Sequence, residues 1–593
     1  MVANVAALAA ETPAWAGSVD TSISITGLHE GDSVDFYKVL AYDQNARAAV
    51  ADATDPTVGA GSWKAVAPFA SMTLADFKAI LSTGITSAIA GRLGAMATSN
   101  VAYTEVANAS GVATHNSPDA GLYIAIITPA AGTDTTYNPV FVGADYYSNT
   151  DPNHANTWAV TGNMTYADSA MAKSSTVTLE KTAQDERTID DNNEETVSVG
   201  DTITFTVTTT IPGFADNYTN PVFKLTDKLS DGLTLNISSV TVDVPAGLTK
   251  GTGAEDEYNV VATTKTVGGE TVTDGYVLAF AADYLKTVKT ATPVTVTYTA
   301  VVNSAALDSV NPEDNTVTLN YSTSPDDTEG HGIKRDKTNH YSFDIDANLF
   351  GEDDYKASEV VKVGVDKDGN EITQTIQLDN THWIGALANA KFKLYKDNNG
   401  EKGAAYTNKF YTADSVFVSD ANGRLKLEGA SEQGIRGLDA GTYWLEEIEA
   451  PAGYIKLQNA VKIEIIANVV ETTYTDTETI NGQSVEVTYK ADELRSYTVK
   501  IGGETTATYT MTNNPAVPGS IAKSDKGDTV VGGTDSESGK PSTDKKGKLQ
   551  NTQGVGLPST GGMSTTILYV GGSILVILAA ILLITKRRMN AED

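Results

Sequence analysis

Two lysines lie close together in the segment MAKSSTVTLEKT, in a chain with 75 acidic and 42 basic residues. From Thr176 onward, apolar and polar residues alternate, which predicts a strand that turns Lys181 toward a core. The same alternation turns Asp227 inward in VFKLTDKLSDGL and Asn315 inward in NTVTLNYS. Because a lone buried ammonium costs several kcal/mol, Lys181 needs a partner, a neutral state or a reaction.

Several other kinds of chemistry are excluded by composition. The chain has no cysteine, which excludes disulfides, thiolate nucleophiles and cysteine-based zinc sites. Its six histidines are scattered without metal-ligand spacing, so we expect no metal site and no cofactor. The formal net charge of −33 argues against a nucleic-acid partner bound through a basic face. No convergent set of nucleophile, base and oxyanion donors indicates an enzyme that acts on other molecules.

The segments that would position these residues are typical of β-strands. Runs such as DTITFTVTTT, PVTVTYTAVV and NTVTLNYSTS alternate apolar and polar residues, are rich in Thr, Val and Tyr, and are separated by turn residues. Repeated short strands of this kind predict a mainly β fold of tandem sandwich domains. The clearest helical segment is TLADFKAILSTGITSAIAGRLGAM, which is amphipathic and expected to pack on the first domain.

Both ends of the chain carry targeting features. Residues 1–17 have an apolar stretch and small residues without a basic start, and we interpret them as the remnant of a signal peptide. Residues 516–556 are rich in Gly, Ser, Lys and Asp, which predicts a disordered stalk. The apolar run from Ile567 to Ile584, about 27 Å long as a helix, predicts a transmembrane helix over 565–585. Lys586 begins a basic tail on its cytoplasmic side.

The motif LPSTGG lies between the stalk and the apolar run. A pentapeptide, an apolar span and a basic tail in this order resemble the cell-wall sorting signal of Gram-positive surface proteins. The resemblance implies that a sortase recognises Leu557, Pro558, Ser559, Thr560 and Gly561, cleaves after Thr560 and passes Thr560 to an amine. It also implies a wall-anchored surface protein, made through a transient single-pass membrane precursor, that is the substrate of this chemistry.

The three inward residues Lys181, Asp227 and Asn315 resemble the lysine, acid and asparagine of self-crosslinking domains in sortase-assembled pilins and related adhesins. The resemblance implies that Lys181 attacks the side-chain carbonyl carbon of Asn315 and expels ammonia, while Asp227 polarises the amide and shuttles protons. An apolar site would favour this by lowering the lysine pKa and raising the carboxyl pKa. The alternative is a buried salt bridge between Lys181 and Asp227, with Asn315 only hydrogen-bonded.

A second such unit follows, because GTYWLEEIEAPAGY resembles the acidic box of the prealbumin-like (Cna-B type) repeat. The resemblance implies that Glu447 is the catalytic acid and that Asn513, in ATYTMTNNPA, is the acceptor. The third member of such a unit is a lysine. Lys362 in EVVKVGV is the candidate, but it alternates with valines and is expected on the face opposite to them.

Lys173 precedes the alternating run and follows small residues at the junction of the first two domains, so we expect it to be exposed. In shaft pilins, a lysine at this position accepts the threonine of the next subunit. The resemblance therefore implies a bond between Lys173 and Thr560 of another copy. The usual Tyr-Pro-Lys motif is replaced here by Met-Ala-Lys. An ordinary linker lysine is the alternative.

These features together divide the chain into six parts. They are a signal-peptide remnant (1–17), an N-terminal pilin domain (18–172), an isopeptide-forming fimbrial domain (173–332), a prealbumin-like domain (333–515), a disordered stalk (516–556) and the sorting signal (557–593). We expect immunoglobulin-like or prealbumin-like (Cna-type) sandwiches in the three domains.

This arrangement resembles that of the backbone pilins of sortase-assembled pili. The resemblance implies a structural subunit of a covalently polymerised pilus that supports adhesion and catalyses only its own single-turnover crosslinks. The implied partners are other copies of the chain, pilin-specific and housekeeping sortases, peptidoglycan, and a host or matrix ligand. A monomeric, wall-anchored adhesin that binds such a ligand is the alternative.

Overall fold

The computed structural model describes most of the region between residues 22 and 554 and a short C-terminal segment. The described residues are 22–42, 63–82, 85–130, 133–144, 166–185, 195–245, 248–251, 256–267, 270–307, 312–325, 327–345, 359–372, 376–377, 383–431, 434–480, 483–513, 521–526, 547–554, 575–584 and 586–587. The expected signal remnant and the LPSTG motif lie outside them. Strands dominate, and the mainly β fold expected from the sequence is confirmed.

The first domain combines two larger sheets and one two-stranded sheet with two helices. Its described elements are β1 (Ser22–Thr26), β2 (Ser33–Tyr42), β3 (Trp63–Ala65), α1 (Leu74–Ser82), α2 (Ser87–Met96), β4 (Tyr103–Val106), β5 (Val112–Asn116), β6 (Gly121–Thr128), β7 (Thr135–Tyr137), β8 (Val140–Ala144), β9 (Ser169–Met171) and β10 (Ser174–Thr176). One sheet has the order β5-β1-β9, and the other has the order β3-β2-β6-β8 with β4 on β2. The predicted helical segment forms α1 and α2, whose apolar residues pack on β2 and β6.

The second domain is a sandwich of two antiparallel sheets. Its described elements are β11 (Leu179–Asp185), β12 (Thr202–Ile211), β13 (Phe223–Leu229), β14 (Leu233–Asp243), β15 (Tyr258–Val267), β16 (Glu270–Phe280), α3 (Ala282–Leu285), β17 (Thr292–Val302), β18 (Glu313–Tyr321) and β19 (Gly332–His340). One sheet has the order β11-β12-β17-β14 and the other β15-β16-β13-β18-β19. Strands such as β12 alternate between half-buried threonines and buried, mostly apolar residues, so their inner faces meet in one core.

The third domain is built around one large sheet. Its described strands are β20 (Phe343–Ile345), β21 (Val361–Val365), β22 (Ile376–Gln377), β23 (Trp383–Ile384), β24 (Lys391–Asn398), β25 (Glu401–Ala405), β26 (Phe417–Ser419), β27 (Leu425–Leu427), β28 (Ile435–Leu438), β29 (Gly441–Glu449), β30 (Val461–Ile480), β31 (Gln483–Ile501), β32 (Glu504–Asn513), β33 (Ile521–Lys526) and β34 (Lys548–Thr552). The large sheet has the order β27-β26-β24-β29-β30-β31-β32-β33, and β21 pairs in parallel with β34.

Strand pairing shifts three of the expected boundaries. β10 pairs with β7 of the first domain, so that domain extends past residue 172. β19 pairs along its whole length with β18, so the second domain extends past residue 332 to about His340. The stalk expected at 516–556 contains two strands, β33 and β34. β34 is not apparent from the composition because it has a single apolar core residue, Leu549, which belongs to the core of the third domain.

The C-terminal segment is helical over 575–584 and has exposed apolar side chains. No helix among the described residues has both the length and the apolar character needed to cross a membrane. Because the first half of the expected span at 565–585 lies outside the described residues, the transmembrane helix stays a prediction.

Candidate crosslinking sites

The first candidate site lies inside the second domain, where the two sheets face each other. β11 contributes Lys181 and β17 contributes Tyr298 from one sheet. β13 contributes Asp227 and β18 contributes Asn315 from the other. Asn315 is opposite Leu229, two positions from Asp227, so Asp227 and Asn315 lie diagonally on the same face. The sandwich fold therefore brings together residues that are far apart in sequence.

Hydrogen bonds connect these four side chains in a fully buried cluster. Lys181 Nζ lies 2.6 Å from Asp227 Oδ2 and 2.5 Å from the Tyr298 hydroxyl. The Tyr298 hydroxyl donates to Asp227 Oδ2 at 2.7 Å and accepts from Asn315 Nδ2 at 2.8 Å. Lys181, Asp227 and Asn315 each have 5 % or less of their surface exposed to solvent. Lys181 Nζ also lies 5.2 Å from the centre of the Phe205 ring.

Burial shifts both charged groups toward their neutral forms. Desolvation lowers the pKa of Lys181, although the nearby Asp227 carboxylate opposes this shift. Desolvation likewise raises the pKa of Asp227 against the opposing effect of Lys181. Asp227 Oδ1 and Asn315 Oδ1 have no hydrogen-bond partner among the described residues. Since both are acceptors, a proton on Asp227 would give this site a donor for the amide oxygen.

The third domain contains a second buried cluster of the same chemical types. Lys362 Nζ, from β21, lies 3.3 Å from Glu447 Oε1, from β29. Asn551, from β34, donates through Nδ2 to Glu447 Oε2 at 2.7 Å. All three side chains are fully buried. Burial lowers the pKa of Lys362 to about 8, although Glu447 opposes this shift.

The asparagine that contacts Glu447 is Asn551, and not Asn513, the acceptor expected from the sequence. Asn513 ends β32, where it pairs with Ile521 of β33, and two strands separate β32 from β29, which carries Glu447. Asn551 occupies the place expected for Asn513. The parallel register of β21 and β34 puts Lys362 opposite Leu549 and Gly364 opposite Asn551, so the lysine and the asparagine share a face.

Lys362 lies on the face opposite the valines, as expected, but this face is buried as well. The sequence assigns the core to the valine face of β21, but every residue of this strand is buried. The valines form a small separate cluster with Ala386. Lys362 points to the other side, where its Nζ lies 5.6 Å from the centre of the Phe392 ring in the main core. Alternation cannot distinguish the two faces of a strand that is covered on both sides.

Lys173 lies on the surface between β9 and β10. Its carbonyl oxygen accepts a hydrogen bond from the Asn138 backbone at 3.1 Å, which fixes the chain at the junction of the first two domains. The sorting motif at 557–561 is outside the described residues, so the joining of Lys173 to Thr560 stays a prediction.

Sequence reasoning missed two residues of these clusters, Tyr298 and Asn551. Tyr298 lies on the inner face of PVTVTYTAVV with Val294 and Val296, so alternation places it inside but gives no sign of its contacts. Asn551 lies two residues after Leu549 in KLQNTQ. This two-residue spacing indicates that Asn551 and Leu549 face the same side. The low apolar content of the surrounding segment kept the strand from being predicted.

Comparison with known families identifies three parts of the chain. Residues 19–174 match the T6 antigen Ig-like domain, residues 378–479 match the SpaA prealbumin-like fold domain, and residues 550–591 match the LPXTG cell-wall anchor motif. The anchor match agrees with the surface location expected from LPSTGG. The SpaA-type match contains Glu447 but neither Lys362 nor Asn551.

Comparison of whole chains finds one sequence relative and several structures with a similar outline. The chain is 27 % identical over 490 residues, 81 % of either chain, to the trypsin-resistant surface T6 protein of Streptococcus pyogenes serotype M6. The T6 backbone pilin structure superposes with 18 % identity and a TM-score of 0.48, covering 91 % of this chain and 99 % of that one. The major pilin SpaA of Corynebacterium diphtheriae gives 17 % identity and a TM-score of 0.37, covering 80 % of this chain and 100 % of that one. The chain is thus similar over most of its length to a Gram-positive surface protein, contains a SpaA-type prealbumin-like domain, and carries an LPXTG motif that anchors it to the wall at the cell surface.

Proposed function

We propose that this chain is the repeating shaft subunit of a covalently polymerised pilus. A sortase cleaves it between Thr560 and Gly561 and joins Thr560 to the Lys173 amine of the next subunit. A second, housekeeping sortase attaches the finished polymer to peptidoglycan. The observation that carries this proposal is the pair of buried lysine–acid–asparagine clusters in successive domains of an anchored chain without cysteine.

Each cluster is proposed to form an intramolecular isopeptide bond. In the second domain, the neutral Lys181 Nζ attacks Cγ of Asn315, the C–Nδ2 bond breaks, and the nitrogen leaves as ammonia. Asp227 donates its proton to the amide oxygen as charge develops there and recovers it when the carbonyl re-forms. Lys362, Glu447 and Asn551 have the same roles in the third domain. The fold holds the lysine amine close to the asparagine amide in a core without water, and this proximity favours the reaction.

Such bonds suit a shaft under tension. The bond in the second domain joins β11 to β18, which belong to opposite sheets. It closes a loop of roughly 130 residues, which by the chain-entropy argument for crosslinks stabilises the fold by about 5 kcal/mol. Pulling force then passes through a covalent link between the sheets, and the hydrophobic core carries less of the load.

A Lys173→Ala strain tests the polymer. Wall extracts from the wild type should give a high-molecular-weight ladder on denaturing gels, and the variant should give only the monomer. Lys367→Ala is the matched control, because Lys367 is also exposed, with 82 % of its side chain accessible. An unchanged ladder in the Lys173→Ala strain contradicts the proposed linkage. Absence of a ladder from the wild type would indicate a singly anchored surface protein.

Intact mass tests the internal bonds. Each isopeptide bond releases one ammonia, so the full chain should be lighter than its sequence mass by about 17 Da per bond and about 34 Da for both. Lys181→Ala should retain the ammonia of the second domain, and Lys362→Ala should retain that of the third. A wild-type mass equal to the sequence mass contradicts both bonds.

A further inference from the structure

Tyr298 is the central hydrogen-bonding group of the cluster in the second domain. Its hydroxyl contacts Lys181 Nζ at 2.5 Å, Asn315 Nδ2 at 2.8 Å and Asp227 Oδ2 at 2.7 Å. A phenol has one hydrogen to donate and two lone pairs to accept with, so these three contacts use its full capacity. No other side chain among the described residues hydrogen-bonds to both nitrogen atoms of the proposed reaction.

The surrounding core fixes the Tyr298 ring. It stacks on Phe205 with ring centres 5.3 Å apart and meets Tyr276 edge-on at 5.1 Å. Only 1 % of its surface is exposed. Burial also raises the pKa of Tyr298 well above its usual value, so the hydroxyl keeps its proton. The site therefore presents a rigid, neutral phenol to the reacting groups.

The proposed reaction requires a proton to move between two nitrogen atoms. When Lys181 Nζ bonds to Cγ of Asn315, Nζ must lose one proton, and Nδ2 must gain one before it can leave as ammonia. Bulk water does not reach either atom, because Lys181 and Asn315 have no exposed side-chain surface. Asp227 contacts Lys181 and Tyr298, but it makes no hydrogen bond to Asn315 Nδ2 among the described residues.

We propose that Tyr298 is a catalytic residue that relays this proton from Lys181 Nζ to Asn315 Nδ2. As the N–C bond forms, Nζ gives one proton to the phenol oxygen. The phenol hydrogen turns from Asp227 to Nδ2 and is transferred there, while the C–Nδ2 bond breaks with its electron pair on nitrogen. One ammonia leaves, and Tyr298 and Asp227 end in their starting protonation states. This inference rests on the proposed isopeptide bond.

The third domain provides an internal comparison. There, Glu447 itself contacts both Lys362 and Asn551. No tyrosine hydroxyl hydrogen-bonds to Lys362 or Asn551 in the part of the chain that the structure describes. Loss of the Tyr298 hydroxyl should therefore slow only the bond of the second domain.

Tyr298→Phe in the full chain tests the relay. After cell-free synthesis, a time course of intact mass with peptide mapping gives the rate of ammonia loss from each domain. We expect the rate in the second domain to fall by about 100-fold or more, the usual range for a lost general acid–base group, with the third domain unchanged. Tyr321→Phe is the matched control, because it removes another buried phenol of the same core, one bonded to the Thr133 carbonyl.

The outcomes separate the relay from the bond itself. A rate in Tyr298→Phe within about threefold of wild type overturns the relay. A wild-type second domain that never loses ammonia instead contradicts the proposed isopeptide bond. If Tyr298→Phe does not fold, a fluorinated tyrosine at position 298 keeps the shape of the ring and makes the phenol more acidic. A changed rate with this residue supports the relay, and an unchanged rate overturns it.

Discussion

At the scale of single residues, both clusters place a lysine amine against a carboxyl group and a carboxamide in a dry core. They differ in how the asparagine is held. Asn315 donates to the Tyr298 hydroxyl and makes no direct hydrogen bond to Asp227 among the described residues. Asn551 donates directly to Glu447 and to the Ile455 carbonyl, both at 2.7 Å. The same proposed bond therefore has two different hydrogen-bond environments.

The identity of the third-domain acceptor can be tested by substitution. Asn551→Ala should leave the full chain heavier by about 17 Da than expected for a chain with both bonds, because one ammonia is retained. Asn513→Ala is the matched control and should lose both ammonia molecules. Intact mass spectrometry distinguishes the variants, and retention of ammonia in Asn513→Ala alone would make Asn513 the acceptor after all.

The Asn551→Ala variant should also show a pH-dependent stability caused by Lys362. The folded pKa of about 8 lies below the ordinary value of 10.5, so the unfolded chain binds more protons between these values. The free energy of unfolding should therefore rise as pH increases from about 8 to about 10.5, by at most about 3 kcal/mol.

Urea unfolding across this pH range measures the effect. Lys362→Met in the Asn551→Ala background removes the titrating amine and serves as the control for other groups. Equal pH profiles for the single and double variants would contradict a depressed pKa at Lys362.

At the scale of elements, the hairpin formed by β30 and β31 is unusually long, with strands of 20 and 19 residues against a typical length of five or six. It extends beyond its own domain to contact β19 of the second domain. Arg335 of β19 pairs with Asp476 and Glu478, and its guanidinium lies 5.8 Å from the Tyr489 ring. Farther along the hairpin, Asn339 donates to the Asp492 carbonyl at 2.8 Å. The hairpin therefore braces the second domain against the third.

Arg335→Ala should loosen the outer part of this hairpin. The guanidinium is 15 % exposed and holds two carboxylates and a ring, so its loss should cost about 1.4 kcal/mol locally. Amide hydrogen exchange over 474–489 should then rise roughly tenfold, with the domain cores unchanged. Lys490→Ala is the control, since its pair with Glu471 is exposed and contributes little. Equal exchange in both variants would show that Arg335 does not secure the hairpin.

At the scale of the whole molecule, neighbouring domains meet through close contacts. α2 of the first domain packs on the second domain at two glycines, Gly91 against Asp216 and Gly94 against Asn217. At the next junction, the Ser198 hydroxyl lies 2.8 Å from the Tyr406 hydroxyl, and the Val199 backbone bonds to Gly437 at 3.2 Å. Hydrogen bonds and close packing thus join domains at both junctions.

Gly91→Ala should separate the first two domains. An added Cβ would lie 2.2 Å from Asp216 Cβ and 2.7 Å from its backbone nitrogen, closer than any real contact allows. We expect faster hydrogen exchange in the segment around Asp216 and α2, and a lower midpoint for thermal unfolding of the first domain. Ala95→Ser, at an exposed position of the same helix, adds one atom without a clash and should leave both unchanged. Unchanged exchange in Gly91→Ala would contradict this close packing.

The sequence by itself determines the features that depend on local pattern. Alternation within single strands places Lys181, Asp227 and Asn315 inside, because side chains of a strand with one buried face must alternate. The anchor motif is likewise readable because its pentapeptide, apolar span and basic tail are contiguous. Neither feature depends on how distant segments pair.

Tertiary structure is needed where the partners come from distant strands. Asn551 reaches Glu447 only because β34 returns past a polar segment to pair with β21, and strand pairing depends on the shape of the whole core. Lys362 is buried because β21 is covered on both sides. The alternation of residues along this strand therefore does not show which side chains are exposed. Tyr298 meets Lys181 and Asn315 because two sheets face each other, and no spacing within one strand records that contact.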